Sequence, residues 1–117
     1  MTIRVKRVYE APAPGDGQRV LVDRLWPRGV SKERAALDAW LKEVAPSDDL
    51  RKWYHEHAGG WEEFVGRYTD ELEQRGEDVE ELLRWARQGT LTLLYSSKQT
   101  ERNNAVALKD YLERKLA

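Results

Sequence analysis

Two apolar runs that stop abruptly in polar residues constrain this chain more than any other feature. They are Leu21-Val22-Asp23-Arg24-Leu25-Trp26-Pro27-Arg28-Gly29 and Thr90-Leu91-Thr92-Leu93-Leu94-Tyr95-Ser96-Ser97-Lys98. Both begin with the near-continuous apolar character of a strand covered on two faces. A long helical stretch separates them, and helical crossovers join parallel strands. In open α/β sheets, ligands sit beyond the carboxyl ends of the strands. If the two strands are parallel neighbours, their polar ends share one mouth. That mouth is the candidate functional site.

The rest of the pattern agrees with a small α/β sheet. Residues 2–9 alternate, with Ile3, Val5 and Val8 inward, and predict a first strand. Residues 10–18 carry two prolines and two glycines, which suit a turn or irregular link. A second strand covers 19–25. Ser31 is a suitable N-cap for a helix over 32–44, with the stripe Leu37, Trp40, Leu41 and Val44. Ser47 caps another helix running to about Tyr54, and residues 55–60 form a break. A longer helix starts at Trp61 and ends near Gly76; Asp78 caps a fourth, stopped by Gly89. The third strand covers 90–95 and the last helix 101–115. The expected fold is therefore a three-layer α/β/α domain, with a mostly parallel sheet of about three strands and about five helices. The first two strands are joined by a link short enough for a hairpin, so the direction of the first stays open.

At 117 residues the chain fits a single domain over 1–117 with a core of its own. No stretch approaches the roughly 20 apolar residues of a membrane helix, and residues 1–7 lack a secretory signal. Cysteine is absent, which removes thiol chemistry and cysteine-based metal sites. These features lead us to expect a cytoplasmic protein with no membrane partner. The net charge of −1 hides an asymmetry: residues 1–34 carry +4, residues 35–89 carry −7 and residues 90–117 carry +2. The strand ends are thus basic and the intervening helices acidic. A local positive field draws anions despite a near-neutral whole, whereas duplex DNA usually calls for a strongly basic domain.

Within the first run, Arg24 and Arg28 bracket Trp26-Pro27. Guanidinium forks match phosphate or carboxylate bidentately, and Pro27 stiffens the backbone between them. Trp26 offers a flat face to a ring, although packing in the core is the commoner use of such a side chain. Asp23 and Arg24 also have a structural alternative, pairing with each other or with a helix end. In the second run, Ser96, Ser97 and Lys98 lead into a helix with Asn103 and Asn104 near its start, the ingredients of phosphate binding. No Walker or Rossmann glycine pattern accompanies them, and Ser97 or Thr100 as a plain helix cap is an equal alternative. His55-Glu56-His57 is the one histidine cluster, but alternate positions share a face only in extended chain. His55 at a helix C-terminus is the better reading, and no metal site is expected.

These residues resemble a known family. Val22 to Lys32, Trp40 to Ser47, Leu50-Arg51-Lys52-Trp53, Trp61-Glu62-Glu63-Phe64 and Asn103-Asn104-Ala105-Val106 are similar to domain of unknown function 488, most of all its compact YeaO-like branch. The resemblance spans nearly the whole chain. It implies a small prokaryotic α/β domain without an established activity. Longer relatives carry Cys-x-Glu and Cys-His-Arg where this chain has Tyr95-Ser96-Ser97 and Asn103-Asn104-Ala105, so a thiol or imidazole reaction does not transfer. Neither a basic recognition helix nor a glycine-rich cofactor loop supports the regulator or methyltransferase labels some relatives carry.

The expected function is binding of an anionic, phosphate-bearing, nucleotide-like small molecule, with no cofactor or reaction assigned. Arg24, Arg28 and Lys98 would neutralise charge, Ser96, Ser97 and Asn104 would orient the ligand, and Trp26 or Trp53 would stack. The alternative is a regulatory or interaction module contacting nucleic acid or a protein through the same basic rim.

Overall fold

A computed structural model describes residues 1–117. The strands are β1 (Thr2–Arg7), β2 (Gln18–Leu21), β3 (Ala39–Trp40) and β4 (Thr90–Tyr95). The helices are α1 (Lys32–Ala35), α2 (Asp48–Glu56), α3 (Trp61–Leu72), α4 (Gly76–Gln88) and α5 (Asn104–Leu116). All strands are parallel, in the order β1-β4-β2-β3. β4 is thus central, paired with β1 from Thr2↔Thr90 to Arg7↔Tyr95 and with β2 from Gln18↔Leu91 to Leu21↔Leu94. No helix is long and apolar enough to cross a membrane.

Strand alternation divides the core into two unequal parts. Ile3, Val20, Val22, Leu91, Leu93 and Tyr95 face α2 to α5 and join the larger apolar cluster. Leu21 and Leu94 face the other way, toward Val8, Val30 and Ala35. On that second face the cover is thin, and part of it is polar. Asp16 and Arg19 are 2% and 4% exposed, with Arg19 Nη1 2.5 Å from Asp16 Oδ2. Lys6 Nζ lies 3.1 Å from the same oxygen, and Ala13 N–H donates to it. Arg19 also donates to the Ala35 and Ala36 carbonyls, tying α1 to the sheet. This buried network was not anticipated from the sequence.

The structure corrects several local expectations. The helix over 32–44 stops after one turn, because Ala36 adopts a left-handed conformation and donates back to Lys32 O. Asp38 then exchanges hydrogen bonds with Arg19, its N–H to Arg19 O and its carboxylate from Arg19 N–H. Leu41 N–H reaches Leu21 O, so the segment becomes a fourth, edge strand. Sheet bonding overrides the helical stripe here. β2 ends at Leu21 rather than 25, β1 at Arg7 rather than 9, and α3 at Leu72 rather than near Gly76. Gly76 opens α4, which places Asp78 in its first turn instead of at the cap. α5 starts at Asn104, with Asn103 as its cap, rather than at 101.

The short link after β1 does not make a hairpin. It steps across β4, and a 3-10 turn at Pro14–Asp16 lies over that strand. Gly17 makes the crossing feasible: φ is +61°, and a Cβ there would lie 2.3 Å from Thr90 O. Gly29 also has positive φ, at +77°, but open space around it. Urea unfolding should therefore show Gly17→Ala losing well over about 1 kcal/mol, and Gly29→Ala about 1 kcal/mol.

The buried network predicts a pH dependence. Burial alone would raise the Asp16 carboxyl, but the Ala13 N–H, Lys6 and Arg19 hold it below its ordinary value of 3.8. The folded state then resists protonation that the unfolded chain accepts. Its contribution is complete above the ordinary carboxylate range and disappears as pH falls through the lowered value. Asp16→Asn should cost about 3 kcal/mol at pH 7 and flatten the loss of stability below pH ~4, measured by denaturant unfolding at each pH.

Candidate functional site

β2 and β4 end side by side. Val22 N–H still bonds to Leu94 O at 3.1 Å, after which the chain passes Asp23 and bends at Arg24 and Leu25. The Asp23 carboxylate holds that bend from three directions. One oxygen accepts the Ser96 N–H at 2.9 Å and the Ser96 hydroxyl at 2.7 Å. The other accepts the Asn104 amide at 3.1 Å, and the same nitrogen donates to Val22 O at 3.0 Å. The Trp40 indole N–H donates to Asp23 O at 2.7 Å. One residue therefore joins the ends of β2, β3 and β4 to the start of α5.

The remaining motif residues divide into anchored and free. Trp26 packs edge-on against Trp40, with centroids 5.3 Å apart, and donates to Val30 O at 2.7 Å. It joins the smaller core cluster beside the buried Pro27. Asn103 is buried and caps α5 by accepting Val106 N–H, while its amide donates to Gln99 O. Arg24 is partly engaged: Nη2 lies 3.4 Å from Ala45 O and Nη1 3.8 Å from Glu43, and its buried Nε has no partner. The Ser97 hydroxyl accepts Gln99 N–H. Arg28 and Lys98 are exposed and form no ion pair within the chain.

Sequence reasoning missed Arg7 and Tyr9. Arg7 donates to Ser96 O and Ser97 O at 3.1 and 2.9 Å, and packs over the Tyr9 ring at 4.9 Å. The Tyr9 hydroxyl donates to Arg28 O at 3.0 Å. A chain of direct contacts thus runs from the Arg28 backbone through Tyr9 and Arg7 to the loop that carries Lys98. The missing signal was the direction of β1: once it lies parallel beside β4, its last residue reaches the same edge. Tyr95 is buried below this loop. Burial and the Glu10 carboxylate push its hydroxyl above the ordinary tyrosine value, against the opposing pull of Arg7 and Asn103.

The Ser96 hydroxyl and the half-buried Asp23 carboxylate are turned toward each other, while the outward charge belongs to Arg28, Lys98 and part of Arg24. Trp53 lies apart on α2, stacked on His57 at 4.7 Å, and the His57 Nδ1 is 2.8 Å from Trp53 O. No group of three or more metal-ligating side chains gathers in the molecule. Hollows of about 570 and 530 Å³ lie elsewhere, the first between α3 and α5 and the second on α4.

Comparison with known proteins adds a family assignment. The family model DUF488-N3i, described as the inactive DUF488-N3 subclade, matches residues 2–117. The chain is 46% identical over 112 residues to the uncharacterised protein YeaO of Escherichia coli, covering 96% of this chain and 97% of that one. It is 40% identical over 110 residues to the uncharacterised protein Rv3073c of Mycobacterium tuberculosis, covering 94% and 92%. No solved structure matches it.

The geometry separates frame from rim experimentally. Asp23→Ala leaves the Ser96 N–H, the Ser96 hydroxyl and the Asn104 amide without their acceptor and should cost about 2–4 kcal/mol. Arg28→Ala, at an exposed guanidinium, should change stability by less than about 0.5 kcal/mol. Urea unfolding of the two variants checks both values.

Proposed function

The chain belongs to the DUF488 family, in the subclade described as inactive, and from that premise we propose a protein that binds and does not catalyse. Its ligand is an anionic small molecule bearing phosphate, of nucleotide type, held at the C-terminal edge of the sheet. The observation that carries this reading is the contrast between a saturated floor and an open rim. Ser96 and Asn104 both donate to the Asp23 carboxylate, whereas Arg28 and Lys98 stand exposed without anionic partners. A guanidinium and an ammonium on a stiffened edge are suited to phosphate oxygens. Arg24, beside the Ala45 carbonyl and 3.8 Å from the Glu43 carboxylate, adds only part of its charge to the rim. Trp26, with its indole N–H engaged by Val30, supports the rim from below instead of stacking on the ligand.

The subclade description agrees with the side-chain chemistry. A nucleophile needs a neighbouring base and a path to substrate; here the Ser96 hydroxyl points at the carboxylate that organises the fold. The interaction-module alternative draws on the same basic rim. A chain of net charge −1 favours a compact anion over an extended polyanion.

Thermal denaturation with pyrophosphate, nucleoside diphosphates, sugar phosphates and a short oligonucleotide tests the proposal. A ligand at 100 times its Kd adds about 2.7 kcal/mol of stability. Pyrophosphate or a nucleoside diphosphate should raise the Tm, and the Arg28→Ala, Lys98→Ala double variant should weaken the affinity by roughly 10–100-fold. No shift with any small anion at millimolar concentration refutes the proposal. Binding confined to the oligonucleotide, with a steep salt dependence, favours the alternative.

A further inference from the structure

Leu25 is 65% exposed, the one large apolar side chain outside the first residue that the fold leaves in solvent. It is not a loose loop residue. The turn around it is held by the Trp26 indole on Val30 O, by buried Pro27 and by the Tyr9 hydroxyl on Arg28 O. A well-held apolar knob therefore stands three residues before the exposed, unpaired Arg28. Such a feature is an anchor for a complementary surface.

The same molecule carries that complement. The hollow of about 570 Å³ between α3 and α5 has Trp61 and Val65 in its wall and Glu62, Asp110, Glu113 and Arg114 around it. The carboxylates of Glu62, Asp110 and Glu113 take part in no ion pair within the chain. Asp110 and Glu113 lie in the second half of α5, roughly 9–14 Å along its axis from Asn104, which marks the basic edge. Knob and hollow therefore occupy separate parts of one molecule and meet only between molecules.

We propose that a second copy of this chain docks head to tail, with Leu25 of one copy in the α3–α5 hollow of the next and Arg28 facing the Asp110–Glu113 carboxylates. Charge complementarity selects this occupant: three carboxylates, Glu62, Asp110 and Glu113, outnumber the single guanidinium of Arg114 around the hollow, and Arg28 beside the knob has no ion pair of its own. The contact is heterologous, so it builds rings or short open chains instead of a closed twofold dimer. One knob in one hollow is a small interface, and association is accordingly weak and concentration-dependent.

The proposal shares Arg28 with the ligand reading but does not rest on it, and is tested in phosphate-free, low-salt buffer. Sedimentation velocity on the intact chain from about 10 µM to 1 mM should show a rising mean mass. Leu25→Asp should abolish the rise, and Arg28→Glu or Asp110→Lys alone should weaken association by more than about tenfold. The Arg28→Glu, Asp110→Lys double variant restores the pair with signs exchanged, and should return to within about threefold of the original chain. A monomer at every concentration overturns the proposal, as does association that survives Leu25→Asp or charge reversals that fail to rescue each other.

Discussion

The carboxylate of Asp23 is the interaction on which the C-terminal edge depends. A parallel sheet ends in backbone groups that no further strand can satisfy, and the chain must leave it in several directions at once. Here a single anion receives a backbone N–H and a hydroxyl from the end of β4 and an amide from the start of α5. Its own carbonyl receives the indole of Trp40 from β3. Charge-assisted hydrogen bonds of this kind are stronger than neutral ones, and a polar cluster in which every member is satisfied makes the surrounding frame specific. The basic rim acquires its rigidity from this arrangement. Arg24 and Arg28 leave the sheet from a backbone already fastened at Asp23, Pro27 and Val30.

A second charged cluster performs a comparable task on the thin face of the sheet. Asp16 pairs there with both Arg19 and Lys6. Arg19 reaches the Ala35 and Ala36 carbonyls and so holds the end of the one-turn α1. The apolar helices α2 to α5 cover the opposite face by ordinary burial. One face is therefore packed mainly by hydrophobic contact, and the other partly by ion pairing.

Much of this was legible in the sequence because hydrophobic period is a local signal. The apolar runs ending in Asp23-Arg24 and Tyr95-Ser96 marked parallel neighbours whose ends meet, and β4 and the stripes of α2, α3 and α4 follow their periodicity. Ser31 and Ser47 cap their helices as their residue types suggest. What was not legible required partners distant in sequence. The stripe Leu37, Trp40, Leu41 and Val44 fits a helix in isolation, yet hydrogen bonds to β2 turn residues 39–40 into a strand. The order β1-β4-β2-β3 could not be read from a short link with two prolines, and with it went the position of Arg7. The roles of Asp23, Ser96 and Asn104 were legible as polarity at a strand end. Their mutual saturation was not, because it is a property of distances and not of residue types.

The Asp23 carboxylate is a structural acceptor at this edge. Native-state hydrogen exchange of the Ser96 amide tests that most directly, since this N–H lies just beyond the end of β4 and receives no strand partner. If Asp23 fastens the edge, the Ser96 amide exchanges as slowly as the interior amides of β4, and Asp23→Ala removes that protection while the strand interior keeps its own. Rapid exchange of the Ser96 amide in the unaltered chain, at the rate of an open loop, would contradict it.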